Sequence, residues 1–451
     1  MNRKLIFSGI VVFIIVLLAL ARTPLAGHFY KKGLEHKEAG SFELARDNFS
    51  RAKSIKGNFL DARLELALTE SLLENDEKSV EILSGIIDRN NEYAAAWFYR
   101  GISRFITGDF AGSAEDLTRS IELDFESAQS FTGRGRAFME LGLEDKAMDD
   151  FTRSIEIDPE YGAAWFHRGV IRANKGDFSG AVEDYNMAIK YDLDNPETYK
   201  LRGTIMANLD NFIAAIADYD RLIEMDAGYS GLYKQRGVFK RQINDYSGAI
   251  ADLSKAAEID ANDAEIFFHR GSSYANIGDL ENAMTDLDRS IVLDKNNARA
   301  FLNRGLVWLR NGKVVPAMAD FNSSIKLDDG NAQSYYLLGT ARAMNNDFNG
   351  SVAEFTKAIN LDPGLAMAYF NRGISKGILG RHEEAISDYD TSLRLHEDNP
   401  GAYLQRAVSR INLNNMAGGC EDLRTALDMG MEEAEPMLKM YCRDGENVIV
   451  R

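Results

Sequence analysis

Six histidines, two cysteines and a recurring arginine–aspartate pair are the residues of this chain whose types suit chemistry. A zinc or redox centre needs three or four such side chains at close ligand spacing. His167 and His269 occupy equivalent places three repeats apart, too far for one metal. His28 and His36 share a helix face two turns apart, which is not ligand spacing. Surface or packing roles fit all of them better. Aspartate and glutamate are abundant but recur with a fixed period instead of converging. The sequence has no phosphate loop, nucleophile elbow or zinc motif. No catalytic, cofactor-binding or metal residue is expected, and no enzyme activity. Cys420 and Cys442 form an even pair. An exported chain permits a disulfide between them; otherwise they are two small buried thiols.

The arginine row is Arg100, Arg134, Arg168, Arg202, Arg236, Arg270, Arg304, Arg372 and Arg406. Sixteen residues after each stands an aspartate: Asp116, Asp150, Asp184, Asp218, Asp252, Asp286, Asp320, Asp388 and Asp422. Between Arg304 and Arg372 the pattern reads Leu338 and Glu354, so both members depart together. A charge beside a close helix contact is costly unless paired. The rows are expected to form bridges that fix helix register, either within one helix pair or between neighbouring pairs. The alternative is two exposed charges copied together by duplication.

The elements that position these rows follow a 34-residue ruler. Stepping from residue 26 gives twelve units without an insertion, ending at residue 433. One row, Gly33, Ala67, Gly101, Gly135 and onward to Ala407, never exceeds alanine in size. Four residues earlier runs an aromatic row, Phe29, Trp97, Phe131, Trp165 to Tyr403, broken only at Arg63. Twelve residues after the glycines comes a small row, Ala45, Ser79, Ser113 to Gly419. Four later comes a large apolar row, Phe49, Leu83, Leu117, Phe151 to Leu423. Spacings of four mean one face of a helix. Each unit is therefore two helices joined by a turn such as Gly108-Asp109 or Gly176-Asp177. One unit alone leaves its apolar faces wet, so neighbours must stack.

These rows resemble the tetratricopeptide repeat, whose pattern is aromatic, glycine, alanine, aromatic at this spacing. The resemblance covers 26–433. It implies an all-α, right-handed superhelical solenoid of about twelve 34-residue helix-turn-helix repeats, preceded here by an N-terminal apolar helix. The second unit departs most, with Arg63, Ala67 and Asn75. The family's leucine before the glycine is mostly arginine, and its late proline survives only as Pro159 and Pro363. Residues 434–443 read as one more first helix, a lid on the last unit, and 434–451 as a capping helix with a tail. That end also resembles the Sel1-flavoured final repeat of exported bacterial repeat proteins.

The resemblance implies that first helices line a groove for protein or peptide partners. One matching row holds Phe98, Phe166, Phe268, Leu302, Tyr336 and Phe370, interrupted by Thr132, Lys200 and Lys234. The next holds Ile102, Val170, Thr204, Val238, Ser272, Leu306, Thr340 and Ile374. A family subset clamps chaperone carboxylates with lysine and asparagine on these rows; valine, threonine and serine here argue against that ligand. A polar run, Asn174, Asn208, Gln242 and Asn276, could ladder along a ligand backbone, or simply sits at helix ends where asparagine is favoured. The candidate partner groove is thus Phe166, Val170, Asn174, Lys200, Thr204, Asn208, Lys234, Val238, Gln242, Phe268 and Asn276.

The totals restrict the partner class. A net charge of −17 gives no general affinity for phosphate backbones, so nucleic acid is not expected. Residues 1–25 stand apart: Arg3 and Lys4 precede an uncharged run from Leu5 to Ala21. That layout is an export signal or a membrane anchor, and both readings stand. Basic residues on both sides leave orientation open. The expected location is the cell envelope, with the repeats outside the cytoplasm. The expected function is a scaffold or adaptor for protein partners. Self-association into a structural scaffold, or service as a non-catalytic subunit of an enzyme complex, are the alternatives.

Overall fold

The computed structural model describes residues 23–191, 194–226 and 228–442. The apolar run 5–21 and the tail from 443 lie outside the described residues. Among the described residues every regular element is a helix. First helices (helix A) run Leu60–Leu72, Ala94–Ile106, Ala128–Glu140, Gly162–Asn174 and Pro196–Asn208 in a compact unit that ends at Asn211. A second compact unit begins at Phe212, with first helices Ser230–Gln242, Ala264–Asn276, Ala298–Arg310, Ala332–Met344, Ala366–Ile378 and Pro400–Asn412. Each is followed by a helix B, such as Phe110–Glu122 or Val314–Leu327. The repeated hairpin is the building block of both units. No helix of the described residues is long and apolar enough to cross a membrane.

The turn between A and B is fixed by short-range chemistry. At Gly176 the chain adopts φ +81°, and at Asn346 φ +63°, both in the left-handed region. The next residue caps helix B. Asp177 accepts a hydrogen bond from the Gly180 amide at 3.0 Å, and Asp347 from Gly350 at 2.9 Å. A Cβ at Gly180 would lie 2.3 Å from the Asp177 carboxylate, so a side chain there would have to displace it; at the equivalent place Asp279 caps over Asn282 at a longer 3.2 Å.

Inside each hairpin the glycine row receives the large apolar row. A Cβ on Gly305 would meet the Phe321 ring at 2.5 Å, and one on Gly373 would meet Tyr389 at 2.6 Å. Phe49, Phe151, Phe321 and Phe355 are wholly buried. Where alanine replaces glycine, at Ala67 and Ala407, the residue sixteen later is Leu83 or Leu423, never a ring. Size is thus exchanged across one contact, as close packing demands. The short helix Ala434–Tyr441 covers the last hairpin, with Ala434 buried against Ala407, Leu423 and Ala426. Cys442 beyond it is joined to Cys420 in the helix beneath, with Cα atoms 5.7 Å apart.

Candidate functional site

The arginine row sets the frame of each hairpin. Arg304 donates from Nε and Nη2 to the two oxygens of Asp320, at 2.8 and 2.7 Å. Its Nη1 donates to Asp288, on helix B of the preceding hairpin, at 2.6 Å. Its guanidinium lies over the Phe301 ring, 5.5 Å from the centroid. The same arrangement holds for Arg100 with Asp116, Ser84 and Trp97, and for Arg372 with Asp388, Thr356 and Tyr369. Each such arginine therefore ties three helices: its own, its partner B, and the previous B. Hydrogen bonds from the guanidinium to Asp320 hold the Arg304 pKa above its ordinary value. Asp116 and Asp388 are almost fully buried and take a second cation, Arg104 at 3.1 Å and Lys376 at 2.8 Å. At the departing pair, Leu338 is buried, and Glu354 is held by Arg342 at 3.5 Å and Lys357 at 3.1 Å. These bridges are structural, and the aromatic row serves as their stacking platform.

Most successive A helices also touch one another within each compact unit, as Ala94–Ile106 touches Ala128–Glu140 and Ser230–Gln242 touches Ala264–Asn276. In the first unit the A face carries a cavity of about 360 Å³ between Ala94–Ile106 and Ala128–Glu140. Ile102, Phe105, Ile106, Phe110 and Arg136 line it, with Arg136 stacked over Phe105 at 4.4 Å. Phe105 lies one turn beyond Ile102, and Arg136 falls in the Ile102–Val170 row itself, where an arginine interrupts the aliphatic and small residues.

The predicted groove residues of the first unit have mixed fates. Phe166 and Val170 pack against the Ala181–Tyr185–Ile205 core, with the Phe166 ring 6.1 Å from Tyr185. Lys200 sits 3.7 Å from Glu197, and the Thr204 hydroxyl donates back to the Lys200 carbonyl at 2.7 Å. Asn174 and Asn208 are exposed and are the last residues of their helices. Burial, with Arg136 nearby, pushes the His167 pKa down to about 4.

In the second unit, Lys234 is engaged by Asp263 at 2.7 Å and Glu265 at 3.2 Å. Val238 is half-buried, and Gln242 is exposed at its helix end. Phe268 is buried, only 3% exposed, beneath Arg299, whose guanidinium lies 4.7 Å from the ring centroid. Its ring is therefore part of the packing and not an open groove anchor. Asn276 donates to the Ser272 carbonyl at 2.8 Å. The end-of-helix row that holds these amides also holds Ile106 in the first unit, 61% exposed, and Met344 and Ile378 in the second, both more than half exposed.

One basic cluster in this unit was invisible in the periodic rows. Arg241 Nη1 lies 2.6 Å from His269 Nδ1, and burial together with Arg241, Arg299 and Lys234 pushes the His269 pKa down to about 3. A neutral imidazole accepts at Nδ1 from the guanidinium. Among the described residues, no group of histidine, cysteine or carboxylate side chains is placed to hold a metal.

Comparison with known proteins agrees with the hairpin period. A TPR repeat profile matches residues 240–278, and tetratricopeptide repeat profiles match 132–197, 270–332 and 332–365. None of the curated proteins matches the chain. Among solved structures, the Cut9–Hcn1 hetero-tetramer of APC/C aligns at TM-score 0.45 and 14% identity, over 93% of this chain and 96% of that one. A tetratricopeptide repeat protein from Parabacteroides merdae aligns at 0.42 and 17%, over 55% and 99%. YrrB, described as a TPR protein with an unusual peptide-binding site, aligns at 0.37 and 19%, over 41% and 95%. The matched repeats, the 34-residue hairpin and the paired glycine and large apolar rows lead to one assignment: this chain is a tetratricopeptide repeat protein.

Proposed function

We propose that the chain is a non-catalytic scaffold that holds segments of protein partners on the A faces of its hairpins. The carrying observation is the cavity between the A helices Ala94–Ile106 and Ala128–Glu140, with the exposed Ile106 on its rim; Met344 and Ile378 are exposed at the equivalent helix ends in the other unit. An apolar cavity with an exposed apolar side chain at its rim suits a protein-binding surface better than singly exposed side chains do. Beside Ile106, the 360 Å³ cavity offers a pocket for one apolar anchor, the kind of site where binding energy concentrates. Val170, Thr204, Val238 and the amides Asn174, Asn208, Gln242 and Asn276 extend this contact surface within their own units. A scaffold needs no reacting group, and binding folds of this repeat class are generally not enzymes.

The proposed location is the cell envelope, with the repeats outside the cytoplasm. The uncharged run Leu5–Ala21 supports export or anchoring, and the pairing of Cys420 with Cys442 suits an oxidising compartment. The test is photo-crosslinking in intact cells from A-face positions Ile106 and Met344, against helix-B positions Glu115 and Val315. Adducts to other proteins from the A face alone are expected. Adducts from helix B alone, or only to further copies of this chain, would overturn the reading.

A further inference from the structure

Three of the apolar rows that run through the hairpins are each broken at one place, and each time by a cation. Lys53 stands in the row that otherwise reads Ile87, Ile121, Ile155 and onward to Leu427. Arg63 is the break in the aromatic row, and Arg89 stands in the row that otherwise reads Ile55, Leu123, Ile157 and onward to Met429. The fold brings the three breaks to one edge of the first two hairpins. Lys53 lies near the end of helix Phe42–Ile55, Arg63 in the first turn of Leu60–Leu72, and Arg89 just past the end of Asp76–Ile87. Burial and then the charge of Arg63 push the Lys53 pKa down, helped by Arg89 and opposed by Glu81; burial and Arg89 do the same to Arg63. Among the described residues none of the three has an ion pair. Arg63 instead donates from Nε and Nη2 to the Gly57 carbonyl, at 3.0 and 2.9 Å, and Arg89 to the Gly85 carbonyl. Two further cations flank them: Lys56 lies 5.1 Å from the Phe59 ring centroid and Arg51 lies 5.6 Å from that of Phe29. Arg119, Arg153 and Arg221, which are equivalent to Arg51, each pair with a glutamate three residues on; Arg51 has Ser54 there. Mutually repelling cations in place of packing residues weaken a hairpin unless a counter-charge meets them.

We propose that Lys53, Arg63 and Arg89, flanked by Arg51 and Lys56, form a surface for the anionic headgroups of a phospholipid bilayer. The inference rests on the anchoring reading above and adds to it a lipid contact made by the folded hairpins. The occupant follows from where the edge lies. The first helix, 23–38, starts at this same edge, since Tyr30 packs on Phe59 with ring centroids 5.0 Å apart and Phe29 lies beneath Arg51. Only Arg22 separates that helix from the uncharged run Leu5–Ala21. A bilayer that holds the run is within reach of all five cations. Between Arg22 and Arg63, nine basic residues stand against five acidic ones, in a chain whose net charge is −17. An anionic surface attracts this edge and repels the acidic remainder, which orients the chain on it. The cations are spread over two helix ends, a loop and the start of a third helix. A field of headgroups meets such a spread; a single small anion would need them to converge.

The test places the full chain in lipid nanodiscs of phosphatidylcholine, alone or with about a third of phosphatidylglycerol. A fluorophore on G57C, at an exposed glycine with open space around its Cβ, reports contact with a lipid that carries a quencher on its headgroup. E77C, in the first turn of Asp76–Ile87, is the control at the far edge. Quenching at G57C is expected to be at least about fivefold greater in the anionic discs than in the neutral ones and to weaken at high salt, with E77C unquenched in both. K53I/R63Y/R89L writes the usual residues of the three rows back, which the other hairpins accommodate, and is expected to lose the difference between lipids. K53R/R63K/R89K is expected to keep it. Equal quenching in the two lipids would overturn the proposal, as would a lipid difference that survives in K53I/R63Y/R89L. Its abolition by inorganic phosphate at matched ionic strength would mark a small-anion site instead and would also overturn it. A chain that enters neutral discs and shows no lipid-dependent quenching keeps the anchoring and loses this surface. A chain that associates with anionic discs alone, through the G57C edge, keeps the surface and loses the anchoring.

Discussion

Arg236 grips Asp252 with both arms of its guanidinium, Nε at 2.8 Å and Nη2 at 2.5 Å, while its third nitrogen holds Asp220 at 2.6 Å. The hydrogen bonds to Asp252 keep the arginine pKa raised. Asp252 is only 5% exposed; without the arginine it keeps Lys240 Nζ at 2.8 Å but loses its bidentate partner. R236M is expected to destabilise the second compact unit by about 3 kcal/mol, and removing both charges in R236M/D252M to restore most of it. Urea unfolding midpoints of the two variants check this. An R236M protein as stable as the parent would mean that the row is inherited decoration.

The exchange of size between Gly305 and Phe321 gives a second expectation. G305A drives a methyl into the Phe321 ring and is expected to cost about 1–3 kcal/mol by overpacking. The double variant G305A/F321L recreates the Ala67–Leu83 and Ala407–Leu423 combinations that the chain already uses, and is expected to recover part of that loss. A double variant less stable than either single one would show that the two positions do not share one contact.

Stability is expected to fall on mild acidification through His167 and His269. Their folded pKa values, about 4 and about 3, lie below the ordinary histidine value of 6.5 because both rings are buried. Between those limits the unfolded chain binds more protons than the folded one. The stabilisation is therefore complete above 6.5 and lost as pH falls. At pH 5 the loss is about 2 kcal/mol per histidine. Thermal unfolding at pH 7.5 and pH 5 should show this drop, and H269Q should reduce it.

The pairing of Cys420 with Cys442 closes the cap helix Ala434–Tyr441 onto the last hairpin. Purified from an oxidising compartment, the chain is expected to show no free thiol under denaturing conditions. Reduction should destabilise the last hairpin by about 2–4 kcal/mol. Hydrogen exchange of Met416–Asp428 with and without reductant measures it. Free thiols in the freshly isolated protein would contradict the pairing.

The hairpin was legible because its code repeats: Gly305 and Phe321 are one instance of a spacing written many times, so chance could not mimic it. The Arg304–Asp320 bridge was legible for the same reason. Its third contact was not, because the acceptor sixteen residues before the arginine changes from Ser84 to Thr118 to Asp288. Any oxygen of suitable reach serves there, and side-chain identity leaves no row. The groove was legible only as a face. Phe268 shares a row with Phe166, yet Arg299 buries it, and Arg299 occurs once. Arg241, His269 and Arg299 come from three hairpins and three different rows, so periodicity, which revealed the frame, hid the cluster.

The central claim is that partner proteins contact the A faces. Photo-crosslinking in intact cells from Ile106 and Met344, paired with Glu115 and Val315 as helix-B controls, addresses it most directly. The account predicts adducts to the same partner proteins from both A-face positions and none from the controls. Adducts confined to Glu115 and Val315 would contradict it.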